Sequence, residues 1–254
     1  MRIANPIYDI VFKHLMEDNE IAIGIVSRLL GVRILEMTVQ PQEVTQRQAM
    51  GIGRKGQQLR IYRVDFVATI APSDGNKHKV LIELQKAHSV EVLGRFRNYL
   101  SRSYAVPPEQ VTKEAQILPI IAIYLLGFEL NSELPKVIKI ERKYLDGVSG
   151  RAVKGQHRDS FIECLTHDAV VVQIPKIDDV VTTDLERLLQ VFDQRSRDKS
   201  RHFLTLGDKA LAIKDKLMQR LIRLLAKVAA DDETQEQMQL EDELVSIGDE
   251  LELA

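Results

Sequence analysis

Asp65 and Glu83, with Gln85 two residues further on, are the side chains of this 254-residue chain whose types and spacing point most directly to chemistry. They lie in two β-rich stretches, residues 57–70 and 79–85, joined through Pro72-Ser-Asp-Gly-Asn76, whose Asp-Gly pair signals a hairpin turn. A turn centred near Asp74-Gly75 sets the pairing so that Asp65 falls opposite, or nearly opposite, Glu83. Alternation puts Glu83 and Gln85 on one strand face and Ile82 and Leu84 on the other, and Val64, Phe66 and Ala68 leave Asp65 facing away from them. Like charges across a strand pair destabilise a sheet, and a cation removes that conflict. A hard ion such as Mg²⁺ takes one or two carboxylates, a backbone carbonyl and waters. It can polarise a phosphodiester and acidify a bound water. Leu84, between Glu83 and Gln85, is placed to supply the carbonyl. The other reading of the same residues is a solvated polar row on an exposed sheet face.

Several elements must position that hairpin. Asn5-Pro6 ahead of Ile7, Ile10, Val11 and Leu15 reads as a cap and the start of an amphipathic helix, and residues 20–30 read as a second helix stopped by Gly31. Residues 34–39 are β-rich. Residues 88–105 return to a helical pattern carrying Arg95, Arg97 and Arg102, closed by Pro107-Pro108. Residues 117–125 form an Ile-rich run suited to a strand buried on both faces, and residues 169–174 form another, ended by Pro175. Everything after about Asp184 reads as helical, with an apolar stripe over residues 211–228 interleaved with Lys214, Lys216, Arg220, Arg223 and Lys227. Its default role is core packing or self-association of the C-terminal helices into a homo-oligomer. The expected class is α/β, a mixed central sheet flanked by helices with a helical C-terminal extension.

Composition bounds the function. A chain 44% hydrophobic and 28% charged can bury a sizeable core, which excludes collagen-like, coiled-coil and disordered readings. The single cysteine, Cys164, cannot form an intramolecular disulfide, so the expected setting is a reducing cytoplasm and the expected role is core filling. The first residues lack an apolar signal region. The longest apolar run, residues 117–128, has 12 residues including Pro119, too short to span a bilayer, so no membrane partner is expected. The net charge of -2 argues against a nucleic-acid partner only as an average. Residues 231–254 carry ten acidic and no basic side chains, which leaves residues 1–230 with 35 basic against 27 acidic. The basic body is compatible with DNA. The acidic tail is expected either as a solvated, partly disordered end or as a segment lying on the basic body in competition with DNA.

Val64-Asp65-Phe66 followed by Ile82-Glu83-Leu84-Gln85 resembles the core motif of the PD-(D/E)XK phosphodiesterase superfamily. With Asn5-Pro-Ile-Tyr-Asp-Ile-Val-Phe-Lys13, Arg95-Phe-Arg-Asn-Tyr-Leu-Ser-Arg-Ser-Tyr104 and Val172-Gln-Ile-Pro-Lys176, the chain is similar to the transposase-like, recombination-promoting nuclease branch of that superfamily over about residues 5–200. The resemblance implies a restriction-endonuclease-like core over residues 1–176, a helical extension over 177–230 and an acidic tail over 231–254. It implies endonucleolytic cleavage of DNA dependent on Mg²⁺ or Mn²⁺, with Asp65 and Glu83 as metal ligands, Asp9 as an outer ligand and Arg95 and Tyr99 at the DNA phosphate. The departure is Gln85, where the superfamily has lysine: an amide orients by hydrogen bonds but cannot supply positive charge. Lys86 points to the other face and substitutes poorly. The alternative is a protein that keeps the fold as a DNA-binding or assembly module with weak or lost chemistry.

Other motifs carry less. Gly51-Ile-Gly-Arg-Lys-Gly56 matches a dinucleotide fingerprint in letters but precedes a strand instead of following one, so it reads as a hairpin tip with Arg54 and Lys55 near DNA backbone. His157, Cys164 and His167 lack the paired spacing of a structural zinc site.

Overall fold

The computed structural model describes residues 1–44, 62–73, 75–86, 90–105, 117–153, 159–207 and 215–252, with backbone alone at 40–44, 62–65, 90–92, 95 and 244–252. In chain order the elements are β1 (Arg2–Ala4), α1 (Asp9–Glu17), α2 (Asn19–Leu30), β2 (Ile34–Val44), β3 (Tyr62–Pro72), β4 (His78–Gln85), α3 (Val90–Tyr104), β5 (Ile120–Leu126), β6 (Val137–Ile140), α4 (Ser160–Glu163), β7 (His167–Gln173), α5 (Asp184–Leu189), β8 (Phe203–Thr205), α6 (Lys216–Val228) and α7 (Asp232–Glu252).

The strands β2 to β7 make one mixed sheet in the order β2-β3-β4-β5-β7-β6. The first three form an antiparallel meander, β4, β5 and β7 run parallel, and β6 closes the edge antiparallel to β7. A parallel step needs a crossover, and α3 supplies it between β4 and β5. β6 escapes the sequence pattern because an edge strand that is half-exposed at best, Val-Ile-Lys-Ile, lacks clean alternation.

Strand alternation divides the apolar residues between two faces. Phe66, Ala68, Ile70, Ile82, Leu84, Ile123 and Leu125 point to the face where α1, α2, α5 and α6 share one continuous core. Val67, Leu81, Ile120 and Ala122 point to the opposite face, beneath Phe96, Tyr99 and Leu100 of α3. The segment 177–230 is woven into the larger core: Leu188, Leu189, Val191 and Phe192 pack in it, and the stripe of α6 (Met218, Leu221, Ile222, Leu225, Val228) is buried within the chain. Asp215 caps α6 by accepting from the Leu217 N–H at 2.9 Å.

Three expectations are corrected. α1 starts at Asp9 with Tyr8 at its N-cap, three residues later than Asn5-Pro6 implied, because the Asn5 side chain accepts the Ile7 N–H (3.2 Å) and closes a turn instead of a helix. The chain after Asp184 is not continuously helical: two 3₁₀ turns, Gln190–Phe192 and Gln194–Ser196, lead into β8, which pairs antiparallel with β1. That pairing joins residues about 200 positions apart, beyond the reach of any local pattern. The tail is also not a loose solvated end. Asp231 accepts the Thr234 N–H (2.9 Å) at the start of a 21-residue helix whose Thr234 and Met238, one turn apart, are 2% and 0% exposed. Among the described residues no helix is long and apolar enough to cross a membrane.

Candidate functional site

The β3–β4 hairpin is built as its turn residues require. Gly75 takes φ 81°, in the left-handed region, and its N–H donates to the Pro72 carbonyl at 3.0 Å. Paired rows run from Ile70–His78 to Phe66–Ile82, and the same register continued by one residue leads from Asp65 to Glu83. Asp65 has a described backbone position in β3, while its side chain lies outside the described residues. Glu83 is 2% exposed and shares the α3 side of the sheet with Leu81. Its parallel partner is Tyr124, whose ring packs on Phe96 with centroids 4.2 Å apart. Burial and then the Glu83 charge push the Tyr124 hydroxyl well above its ordinary value. Burial in such apolar surroundings disfavours the charge of a carboxylate, and a hard cation beside it would offset that cost.

Gln85 ends β4, and its carbonyl accepts the Gly127 N–H at 2.7 Å. A Cβ at Gly127 would stand 2.5 Å from the Lys86 carbonyl oxygen, so glycine is what lets the end of β5 close against this turn. Leu84 buries its side chain in the larger core. Lys86 leaves on the opposite side from Glu83, as its alternation implies. Its Nζ stands 3.6 Å above the Tyr8 ring centroid, contacts the Asp242 carboxylate and lies 3.8 Å from Glu241.

Around Lys86 the tail helix meets the body. Asp242 accepts the Tyr8 O–H (2.9 Å) and pairs with His202 Nε2 (2.9 Å). Burial works against its charge, but the hydrogen bonds from Lys86, His202 and Tyr8 outweigh it and hold the carboxyl below its ordinary value. Glu241 Oε2 accepts the Asp9 N–H at 3.0 Å, at the N-terminus of α1. Burial first, then the Asp9 charge, push the Glu241 carboxyl up to about 8 against the pull of Lys86. Beside this contact opens a cleft of about 610 Å³ lined by Tyr8, Lys86, Asp193, Arg195, Arg197 and Arg201, among others.

The residues singled out from sequence therefore fall into separate places. Glu83 and Tyr99 share the α3 side of the sheet, and Tyr99, 3% exposed, packs with Phe96 and Leu100 more deeply than a half-exposed phosphate ligand would. The carboxylate brought to Asp9 is Glu241. Arg95 has a described backbone position in α3, and its side chain lies outside the described residues, as do residues 51–56 with Arg54 and Lys55, Asp74 and His157. Cys164 caps the end of α4 half-buried instead of filling the core, with its thiol pushed up by burial, because Phe161 and Ile162 of that short helix face solvent. Among the described residues no group of three or more His, Cys, Asp or Glu side chains is arranged to hold a metal. The donor chemistry at Glu83, a buried carboxylate beside the Leu84 backbone and one register step from Asp65, nonetheless suits a hard divalent ion completed by waters.

Sequence reasoning missed Asn5, His202, Arg197 and Arg201. Asn5, 0% exposed, donates to Gln194 Oε1 and the Arg201 carbonyl, both at 2.8 Å. Only its polar character between Ala4 and Pro6 hinted at a buried hydrogen-bonding hub. No family model, curated protein or solved structure matches the chain.

Proposed function

We propose that the chain is a metal-dependent DNA endonuclease of the PD-(D/E)XK type with a restriction-endonuclease-like core, and the observation carrying this reading is the register of the β3–β4 hairpin. Its pairing ends at Phe66–Ile82, and the same register continued by one residue would set Asp65 opposite Glu83, on adjacent strands of a meander that continues through α3 into a parallel strand. Asp65, Glu83 and the Leu84 carbonyl would hold Mg²⁺ or Mn²⁺; Asp9, at the Glu241 and Lys86 contact on the other side of the sheet, is not placed to join them. When bound, such an ion acidifies a water and stabilises charge on a phosphodiester. The chain's own contribution is to bury Glu83 beside Tyr124 and Phe96, where bulk water is excluded and electrostatic effects are strong. Gln85 would orient by hydrogen bonds and Arg95 is the proposed phosphate contact, with Tyr99 of the same helix packed against the sheet as part of its support.

A second reading, DNA binding without cleavage, is favoured by two observations: Glu83 is almost fully buried, and Lys86, the lysine next to Gln85, is engaged on the far side of the sheet by Asp242. Incubating supercoiled plasmid with the protein and Mg²⁺ or Mn²⁺, beside Asp65→Ala and Glu83→Ala, separates the two. Nicking by the wild type that falls to background in both variants supports the nuclease. Equal nicking by all three, or none, rejects it.

A further inference from the structure

The cleft beside Lys86 holds cations that the fold leaves available. Arg195 is neutralised by Asp193 and Asp179, at 2.6 and 2.7 Å. Arg197 and Arg201 are exposed to the cleft and have no carboxylate partner among the described residues. Arg201 stands at φ 65°, a left-handed conformation uncommon for a residue with a Cβ, and the buried Asn5 amide holds its carbonyl there. Strain of this kind persists where the surroundings over-determine it, and it clusters at functional positions.

Next to the cleft, at the Tyr8 and Lys86 that line it, sits an anion of the chain itself. Asp242 receives the Tyr8 hydroxyl, His202 Nε2 and the Lys86 ammonium, three donors from three separate stretches of chain. Beside it the first N–H of α1 donates to Glu241. The donors belong to the body of the protein and the carboxylates to α7, so the body presents an anion site that the acidic helix fills. The site is lined by a hydroxyl, an imidazole and an ammonium, and it continues into a trough with two unpaired guanidinium groups. That is the chemistry of a phosphodiester chain better than of a single carboxylate.

We propose that this cleft binds consecutive phosphates of a DNA strand, with Tyr8, His202 and Lys86 at one phosphate and Arg197 and Arg201 at the next, and that Asp242 occupies the first position until DNA displaces it. The choice of DNA as the phosphate-bearing chain rests on the nuclease reading; the phosphate chemistry does not.

The test is binding of a labelled DNA duplex to the full-length protein in EDTA, so that cleavage plays no part. Arg197→Glu with Arg201→Glu, both at exposed positions, should weaken binding about tenfold or more and lower the magnitude of the salt slope by about two. Asp242→Asn, which removes the internal anion and keeps its three donors, should tighten binding about threefold or more. Amide exchange in α7 of the wild type should speed up on adding DNA. Unchanged affinity and slope in the arginine double variant would overturn the cleft assignment. Unchanged α7 exchange together with unchanged affinity of Asp242→Asn would overturn the displacement. Faster α7 exchange on adding millimolar inorganic phosphate but not on adding DNA would make this a free-phosphate site and reject the DNA assignment. The expected binding behaviour without plasmid nicking fails the nuclease reading alone; nicking with no arginine effect fails this one alone.

Discussion

At the end of β4 the two faces of one strand do opposite things. On the α3 side, Glu83 is buried beside Tyr124, with a cluster of eight buried apolar residues among the described ones. On the other side, one step past the strand, Lys86 meets Tyr8, Glu241 and Asp242 at the rim of an open cleft, above a core that runs from Ile3 to Met238. Among the described residues, the acid faces the smaller apolar cluster and the base the larger one. A strand with a two-residue period can hold opposite charges three residues apart without their neutralising each other, because the sheet stands between them. The unequal clusters predict that the acid side opens more readily than the main body.

The largest test of that contrast is to truncate one phenylalanine on each side. Phe12, fully buried and edge-on to Phe66 at 5.5 Å, belongs to the main core, and Phe12→Ala should cost ~3–5 kcal/mol. Phe96→Ala should cost about half as much in global melts, yet sharply accelerate amide exchange in α3. Equal global losses would mean the two sides behave as one core and would remove the contrast.

Asn5 offers an intermediate effect. Replacing it with alanine strips partners from Gln194, from the Arg201 carbonyl and from the Ile7 N–H, and should cost ~1–3 kcal/mol. Because Asn5 supports Arg201 in its left-handed conformation, the same variant should also weaken DNA binding in EDTA while leaving the α3 side alone. A stability loss with unchanged affinity would show that Arg201 is positioned without it.

The smallest expected effect concerns the far end of α3. The Tyr104 hydroxyl lies 2.9 Å from His167 Nδ1, and burial, aided by the Arg142 charge, holds His167 below its ordinary value of 6.5, opposed by Asp168. On acidification the unfolded chain then takes its proton first, so this contribution to stability is present above the ordinary histidine value and is lost as pH falls through the lowered one. Melts between about pH 8 and about pH 5 should show a His167→Gln difference of about 2 °C or less, confined to the acid side. A difference that grows on the alkaline side would contradict the sign.

Much of the hairpin was readable because its information is local. Asp-Gly marks the turn, alternation assigns faces, and β4 with Glu83 and Gln85 follows from a few adjacent residues. Gly31 as the stop of α2 was legible for the same reason, since a left-handed C-terminal residue favours glycine. The β1–β8 pair, the Asn5 hub and the left-handed Arg201 were not legible, because each depends on a partner roughly 190 to 205 positions away. The tail was legible in charge but not in shape: ten acidic residues left a solvated end and a segment lying on the basic body both open, whereas buried Thr234 and Met238 and the contacts of Glu241 and Asp242 hold its helix to the body.

By itself the amino-acid sequence determined a mixed α/β chain, the two faces of β4 in its hairpin, and an imbalance between basic body and acidic tail. Those properties rest on backbone geometry and on counting, which act within a few residues or over the whole chain. The tertiary structure alone decided that Glu83 packs beside Tyr124 beneath α3, and that Glu241 and Asp242 come to rest at Lys86, Tyr8 and His202. Such contacts join several distant segments at once, and only packing of the whole chain brings them within hydrogen-bonding reach.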